Sequence, residues 1–267
     1  KSDAMFRAMG RHVENLGGNY TVAEDVGITV EDVEIMGQST RHVAGTSGAG
    51  SSGTGVGDPS PATAYGVYMG IKKAVLHKLK RNSLSGIRVS VQGLGAVGYH
   101  LCRRLAAEGA ELIVTDLNGQ AVERAVQELG ARAVELDHIY DQAVDVFAPC
   151  ALGAVINDET LPRLEASIVA GSANNQLAES WHGIALSKMD KLYVPDFVVN
   201  AGGLILVAQE HAGGPYDEAK TYAHIARIGD TLMEIFAIAE SQNVATSEAA
   251  DRLAEARFQK GDQSAAA

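Results

Sequence analysis

Six residues, Gly93-Leu94-Gly95-Ala96-Val97-Gly98, follow a short β-rich run, Ile87-Arg88-Val89-Ser90-Val91, and open an apolar stretch through Leu105. That spacing suits the binding of a pyrophosphate. The first glycine allows a tight turn, the second lets the backbone close on the phosphates, and the third lets a helix pack on the strand. Unpaired N–H groups and the dipole at the helix start favour the phosphate charge. Asp116 stands 23 residues after Gly93, at the end of the next β-rich run, 111–115. A carboxylate there takes both hydroxyls of an adenosine ribose. The same aspartate also suits a helix N-cap, and the two readings are compatible. Leu117 and Asn118 follow, with no adjacent arginine for a 2′-phosphate. Gly93 through Gly98, Asp116 and Leu117 are therefore candidate dinucleotide contacts, and NAD is expected over NADP.

Such a turn works only at the edge of a sheet, and the surrounding pattern supplies one. Runs at 87–91, 111–115, 131–134, 144–148, 168–170 and 192–194 read as strands, and residues 96–105 and 119–129 read as helices between them. Strands alternating with helices imply a parallel, doubly wound sheet. Upstream, Met5, Phe6, Met9, Val13 and Leu16 have helical spacing, and Gly17-Gly18-Asn19 ends that helix. Tyr20-Thr21-Val22 reads as a short strand, and Thr29 caps a helix through Met36. Residues 45–58 carry six glycines in fourteen positions, too many for a core, and read as a flexible loop or hinge. Ser60 and Pro61 then suit the start of a helix reaching Leu79, with Ala64, Val67, Tyr68, Ile71 and Val75 on one side. From Ala201 onward the pattern is helical. The expected division is 1–48 with 250–267 packing back on it, and 49–249 as the dinucleotide-binding domain.

Composition removes several function classes. The 267 residues carry a net charge of −11, which disfavours nucleic acid. Apolar stretches are strand length, short of a membrane span, and the start shows no signal-peptide pattern. Cys102 and Cys150 are too far apart for a metal knuckle and read as reduced, buried thiols of a cytoplasmic protein; a disulfide between them is the lesser alternative. The eight histidines show no metal spacing, so no metal is expected.

Six motifs appear in order: Ala23-Glu24-Asp25-Val26-Gly27; Asp58-Pro59-Ser60-Pro61 with Thr63-Ala64-Tyr65-Gly66-Val67; Val91-Gln92-Gly93-Leu94-Gly95; Phe147-Ala148-Pro149-Cys150-Ala151; Gly171-Ser172-Ala173-Asn174-Asn175-Gln176; and Pro195-Asp196 with Asn200-Ala201-Gly202-Gly203. Together they resemble the glutamate/leucine/phenylalanine/valine dehydrogenase family over nearly the whole chain. The resemblance implies a Rossmann domain beside a truncated α/β catalytic domain. It makes Asp25 the carboxylate that carries protons to and from the substrate amine. It places Thr63 against the nicotinamide carboxamide, Asn175 between substrate and nicotinamide ribose, and Ala148, Pro149, Ala173 and Asn174 along the cofactor. By residue type alone, Asp25 reads equally as a turn or cap aspartate, Thr63 as a first-turn hydroxyl and Asn175 as a turn asparagine. Cys150 reads as packing.

The resemblance puts Leu204 and Val207, one helical step apart, in the substrate side-chain pocket, with Ala23 as a small wall; without it they read as ordinary helix core. That lining is aliphatic and would leave a glutamate side chain buried and unpaired. The expected reaction is NAD-dependent oxidative deamination of an apolar L-amino acid, leucine first, with phenylalanine or valine as alternatives, in a homo-oligomer. In the family, two lysines precede the segment matching Asp3–Gly10: one the catalytic base, one binding the substrate carboxylate. The chain starts at Lys1, after both. An NAD-binding fragment without turnover is therefore the second expectation.

Overall fold

The computed structural model describes residues 1–25, 27–46, 57–211 and 216–265. Most of the glycine-rich stretch expected to be a loop or hinge, residues 47–56, lies outside them. The chain divides into two compact units. The smaller comprises Lys1–Ala62 with Gly202–Ile225, the larger Thr63–Ala201 with Ala226–Ala267.

In the smaller unit, α1 (Asp3–Asn15) starts at Ser2, whose hydroxyl accepts from the Met5 N–H, and turns Phe6, Gly10 and Val13 inward. It packs on α2 (Val30–Gly37). Gly10 permits that approach, because a Cβ there would lie 2.4 Å from the Met36 carbonyl oxygen. Phe6, Val33 and Met36 form the core, with Val22, Ile28, Ile35 and Val43 against it. The expected strand at Tyr20–Val22 is reduced to one bridge, Val22 to Val43. A single pair of segments has no third strand to pack against and does not propagate a sheet.

Helix α3 (Ser60–Leu79) begins at the residue expected to cap it, and Asp58 instead accepts the Ser60 N–H at 2.8 Å. Then come β1 (Arg88–Gln92), α4 (Ala96–Ala107), β2 (Glu111–Thr115), α5 (Gly119–Leu129), β3 (Arg132–Ala133), β4 (Val146–Pro149), β5 (Ile168–Val169), α6 (Trp181–Lys188), β6 (Leu192–Tyr193) and α7 (Asp196–Val199). The six strands form one parallel sheet in the order β3-β2-β1-β4-β5-β6. This is the doubly wound order, with its switch point between β1 and β4. Val89, Ser90, Val91, Val146, Phe147 and Ala148 are all buried, as strands covered on both faces require.

Helices α8 (Gly202–His211) and α9 (Glu218–Ala226) precede α10 (Ile228–Gln242) and α11 (Thr246–Ala265). Helix α11 packs on α10, α6 and β6, and Ala249, Ala250 and Leu253 are buried. Residues 250–267 thus belong with the larger unit, not with 1–48 as expected. The small–large boundary falls at 62/63, and 202–225 joins the smaller unit. The reason is that the apolar side of α11 is matched to α10, a neighbour in sequence, which pattern reading along a single helix does not reveal.

Candidate dinucleotide and substrate site

The dinucleotide candidates lie in the larger unit, where four parallel strands end side by side. β1 runs into Gly93, whose N–H donates to the Thr115 carbonyl at 2.9 Å. Gly93 has φ +99°, a region open to glycine. A Cβ on it would come within 2.9 Å of the Ala151 backbone nitrogen, and one on Gly98 within 2.0 Å of the Gly93 carbonyl oxygen. Gly95 is different. It is exposed, and a Cβ there would meet nothing within 4 Å. Gly93 and Gly98 therefore shape the turn, while Gly95 keeps its open side clear. Ala96 is exposed, Val97 half-buried and Leu94 buried, at the start of α4.

Asp116 follows β2. Its Oδ2 accepts the Leu94 N–H at 2.5 Å and its Oδ1 the Asn118 N–H at 2.7 Å. The cap of α5 is Asn118, whose side chain accepts from Gln120, so Asp116 does not serve as the cap. The carboxylate is instead fixed to the glycine turn, with further lone pairs on both oxygens. Leu117 is 88% exposed beside it. These features fit a dinucleotide: an open glycine at a helix start and a carboxylate locked one strand away.

Ala148 and Pro149 end β4, both buried. Ala173 donates to the Pro149 carbonyl at 3.0 Å, and the chain passes so close at Gly171 that a Cβ would lie 2.1 Å from that oxygen. Asn174 and Asn175 follow, both exposed, with Asn175 at φ +52°. The Asn175 carbonyl accepts from Ala154 at 2.7 Å, and Asn200 Nδ2 donates to Asn174 Oδ1 at 2.5 Å. The sheet thus brings Gly93–Gly98, Asp116, Leu117, Ala148, Pro149 and Ala173–Asn175 to one edge. Thr63 is half-buried in the first turn of α3.

The other candidates belong to the smaller unit. Asp25 is exposed in a tight turn where its carbonyl accepts the Ile28 N–H at 2.7 Å. Thr29, not Asp25, caps α2, through a reciprocal box with Asp32. Ala23 and Val207 are half-buried and Leu204 is 72% exposed on α8.

Two features escaped the sequence reading. A cavity of about 290 Å³ beside the turn is lined by Gly95, Ala96, Tyr99, His100, Arg103 and Arg124, among others. Arg124 lies 3.9 Å from the Tyr99 ring and pairs with Glu128 at 3.1 Å. The spacing of Ala96, His100 and Arg103, one face of a helix, carried that signal. The second is a set of hydrogen bonds behind the Asn174–Asn175 turn, in which Gln176 and Asn200 donate and the Asp196 carboxylate accepts. Cys102 and Cys150 are both free, and burial pushes both thiols upward, away from reactivity. Among the described residues, no group of three His, Cys, Asp or Glu side chains could hold a metal ion, and no helix is long and apolar enough to cross a membrane.

The family model described as Glutamate/Leucine/Phenylalanine/Valine dehydrogenase matches residues 54–125 and 112–261. A leucine dehydrogenase of Bacillus cereus is 51% identical over 259 residues, 97% of this chain and 69% of that protein. The crystal structure of an L-tryptophan dehydrogenase from Nostoc punctiforme superposes with TM-score 0.82 at 43% identity, covering 98% of this chain and 74% of that one. A hetero-hexameric glutamate dehydrogenase from Thermus thermophilus shares the fold, with TM-score 0.72 at 19% identity over 97% of this chain and 70% of that one.

Proposed function

The chain belongs to the glutamate/leucine/phenylalanine/valine dehydrogenase family, amino-acid dehydrogenases acting on CH–NH2 donors, and from that premise we propose that it binds NAD and serves the oxidative deamination of apolar L-amino acids, leucine foremost. The products are the 2-oxo acid, ammonia and NADH.

The observation that carries the cofactor assignment is Asp116, held by the Leu94 and Asn118 N–H groups at the end of β2. Its remaining lone pairs accept the adenosine ribose hydroxyls, and its charge repels a 2′-phosphate. Gly95 leaves room for the pyrophosphate. The bound dinucleotide supplies the hydride acceptor. Thr63, Ala148, Pro149, Ala173 and Asn174 orient its nicotinamide end, and Asn175 orients substrate as well. Asp25, exposed in its turn, moves protons on the amine. Leu204, Val207 and Ala23 present no charge to a substrate side chain, which supports leucine over glutamate. The chain works as a homo-oligomer, a reading that rests on its family membership.

Calorimetry on the chain with NAD and NADP tests the first part. NAD binds the more tightly, and Asp116→Ala weakens NAD by about tenfold or more, the size of a hydrogen bond to a charged group. Unchanged affinity in that variant removes the cofactor assignment. NADH formation with L-leucine against L-glutamate tests the second part; a preference for glutamate overturns the substrate class.

A further inference from the structure

Asp196 is a carboxylate where few carboxylates are found. It is 6% exposed, at the start of α7, and among the described residues no lysine, arginine or histidine pairs with it. Burying such a charge is unfavourable unless donors surround it. The donors are backbone N–H groups: Gln176 to Oδ2 and Phe197 to Oδ1, both at 2.7 Å. The Tyr193 hydroxyl accepts the Asp196 N–H at 3.3 Å, and the buried phenol is held protonated first by desolvation and then by this carboxylate.

The Gln176 end of this clamp adjoins a left-handed turn. Asn175 stands at φ +52°, a conformation that asparagine reaches more readily than other non-glycine residues. The Gln176 side chain donates to the Gly171 carbonyl at 2.8 Å and the Ala173 carbonyl at 3.0 Å, closing the turn from one side. The Gln176 N–H, bound to Asp196, closes it from the other. That second bond is the charge-assisted one, roughly twice as strong as a neutral bond. It spans 20 residues of sequence, so nothing local replaces it.

Resting on the proposed dinucleotide site, we infer that Asp196 is a positioning residue: it acts through the Gln176 backbone to set the Asn174–Asn175 turn against the nicotinamide end, without touching the cofactor. The adenosine end, governed by Asp116 on the far side of β1, does not depend on it.

The test compares two ligands on the full chain. NADH binding is followed by nicotinamide fluorescence and ADP-ribose binding by calorimetry, in the wild type and in Asp196→Asn. The amide keeps the shape but loses an acceptor for one of the two N–H groups. NADH affinity falls about tenfold, the scale of one hydrogen bond to a charged group, and ADP-ribose affinity changes less than about twofold. The bound-state emission of NADH moves toward that of the free form. Should Asp196→Asn fail to fold, Tyr193→Phe, which removes one hydroxyl beside the carboxylate, gives the same selectivity at about twofold to threefold. Equal losses for both ligands, or none for either, overturn the inference. A wild-type chain that binds neither ligand overturns the dinucleotide site itself, a distinguishable failure.

Discussion

At the scale of single residues, the glycine turn separates two kinds of requirement. Gly98→Ala drives a methyl to 2.0 Å from the Gly93 carbonyl oxygen, so the turn must shift. Overpacking of this kind costs about 1–3 kcal/mol, and each kcal/mol lowers Tm by roughly 2–4 °C in a chain of this size. Gly95→Ala meets no protein atom within 4 Å, so its loss of stability is confined to a poorer N-cap of α4, about 1 kcal/mol or less. Its methyl stands instead where the pyrophosphate approaches, and NAD affinity falls at least about tenfold, which calorimetry measures. A stability loss in Gly95→Ala as large as that in Gly98→Ala, or an affinity loss without instability in Gly98→Ala, contradicts this division. Glu24 gives a pH-dependent case. Its Oε2 is buried without a hydrogen-bond partner among the described residues, and burial, with Asp58 and Glu31 nearby, raises its pKa above the ordinary 4.5. In the window above 4.5 the folded chain then binds more proton than the unfolded chain, so stability falls as pH rises through the raised value. Glu24→Gln removes that loss. It raises Tm at neutral pH, and the gain disappears below about pH 4.5; a gain that persists in acid contradicts the assignment. These residues differ in legibility. Gly93, Gly98 and Asp116 were readable because the backbone imposes their types at fixed spacing. Asp196 and Gln176 lie within two of the six motifs yet show no role in the sequence, since their contact exists only once β5 and β6 are paired.

At the scale of elements, local chemistry decided most boundaries. Helix α5 covers 119–129 as expected, because Asn118 caps its start and Gly130, at φ +66°, ends it. Helix α2 begins after Thr29, whose hydroxyl accepts from Asp32 while the Asp32 carboxylate accepts the Thr29 N–H. Thr29→Ala removes the hydroxyl half of that box, leaving the backbone N–H to Asp32, and costs about 1 kcal/mol. Native-state hydrogen exchange shows it as faster exchange in α2, with β1 and β2 unaffected; uniform acceleration throughout argues against a local cap. The strands were less legible. β3, β5 and β6 are two residues long, shorter than their apolar runs, because each pairs only where a neighbour of the right register lies beside it. Helix α6 went unread, since its apolar residues are spread around the axis and give no stripe. Tyr20–Val22 had strand composition but lacked a sheet to join.

At the scale of the whole molecule, the two units differ in what holds them. The smaller rests on a core of Phe6, Val33 and Met36 with four partly buried neighbours. The larger has a six-stranded sheet whose central strands β1 and β4 are buried on both faces, with Phe147, Ile156, Leu186 and Phe236 all but inaccessible to solvent. Apolar burial is the main favourable contribution to folding, so local opening should be easiest where it is smallest. Amides of α1 and α2 are therefore expected to exchange at lower opening free energy than those of β1, β2 and β4. Dinucleotide adds a second expectation. A ligand that binds only the native state stabilises it by about 2.7 kcal/mol at a hundred times its Kd, roughly a hundredfold slower exchange for amides that open only through unfolding of the unit that holds it. With NAD at that concentration, β1, β2 and β4 slow by about that factor, and the Leu94 and Asn118 N–H groups, bound to Asp116, slow with them. Slowing confined to α1 and α2, with the strands unchanged, would place the dinucleotide outside the sheet edge and would falsify the site built on Gly93 and Asp116.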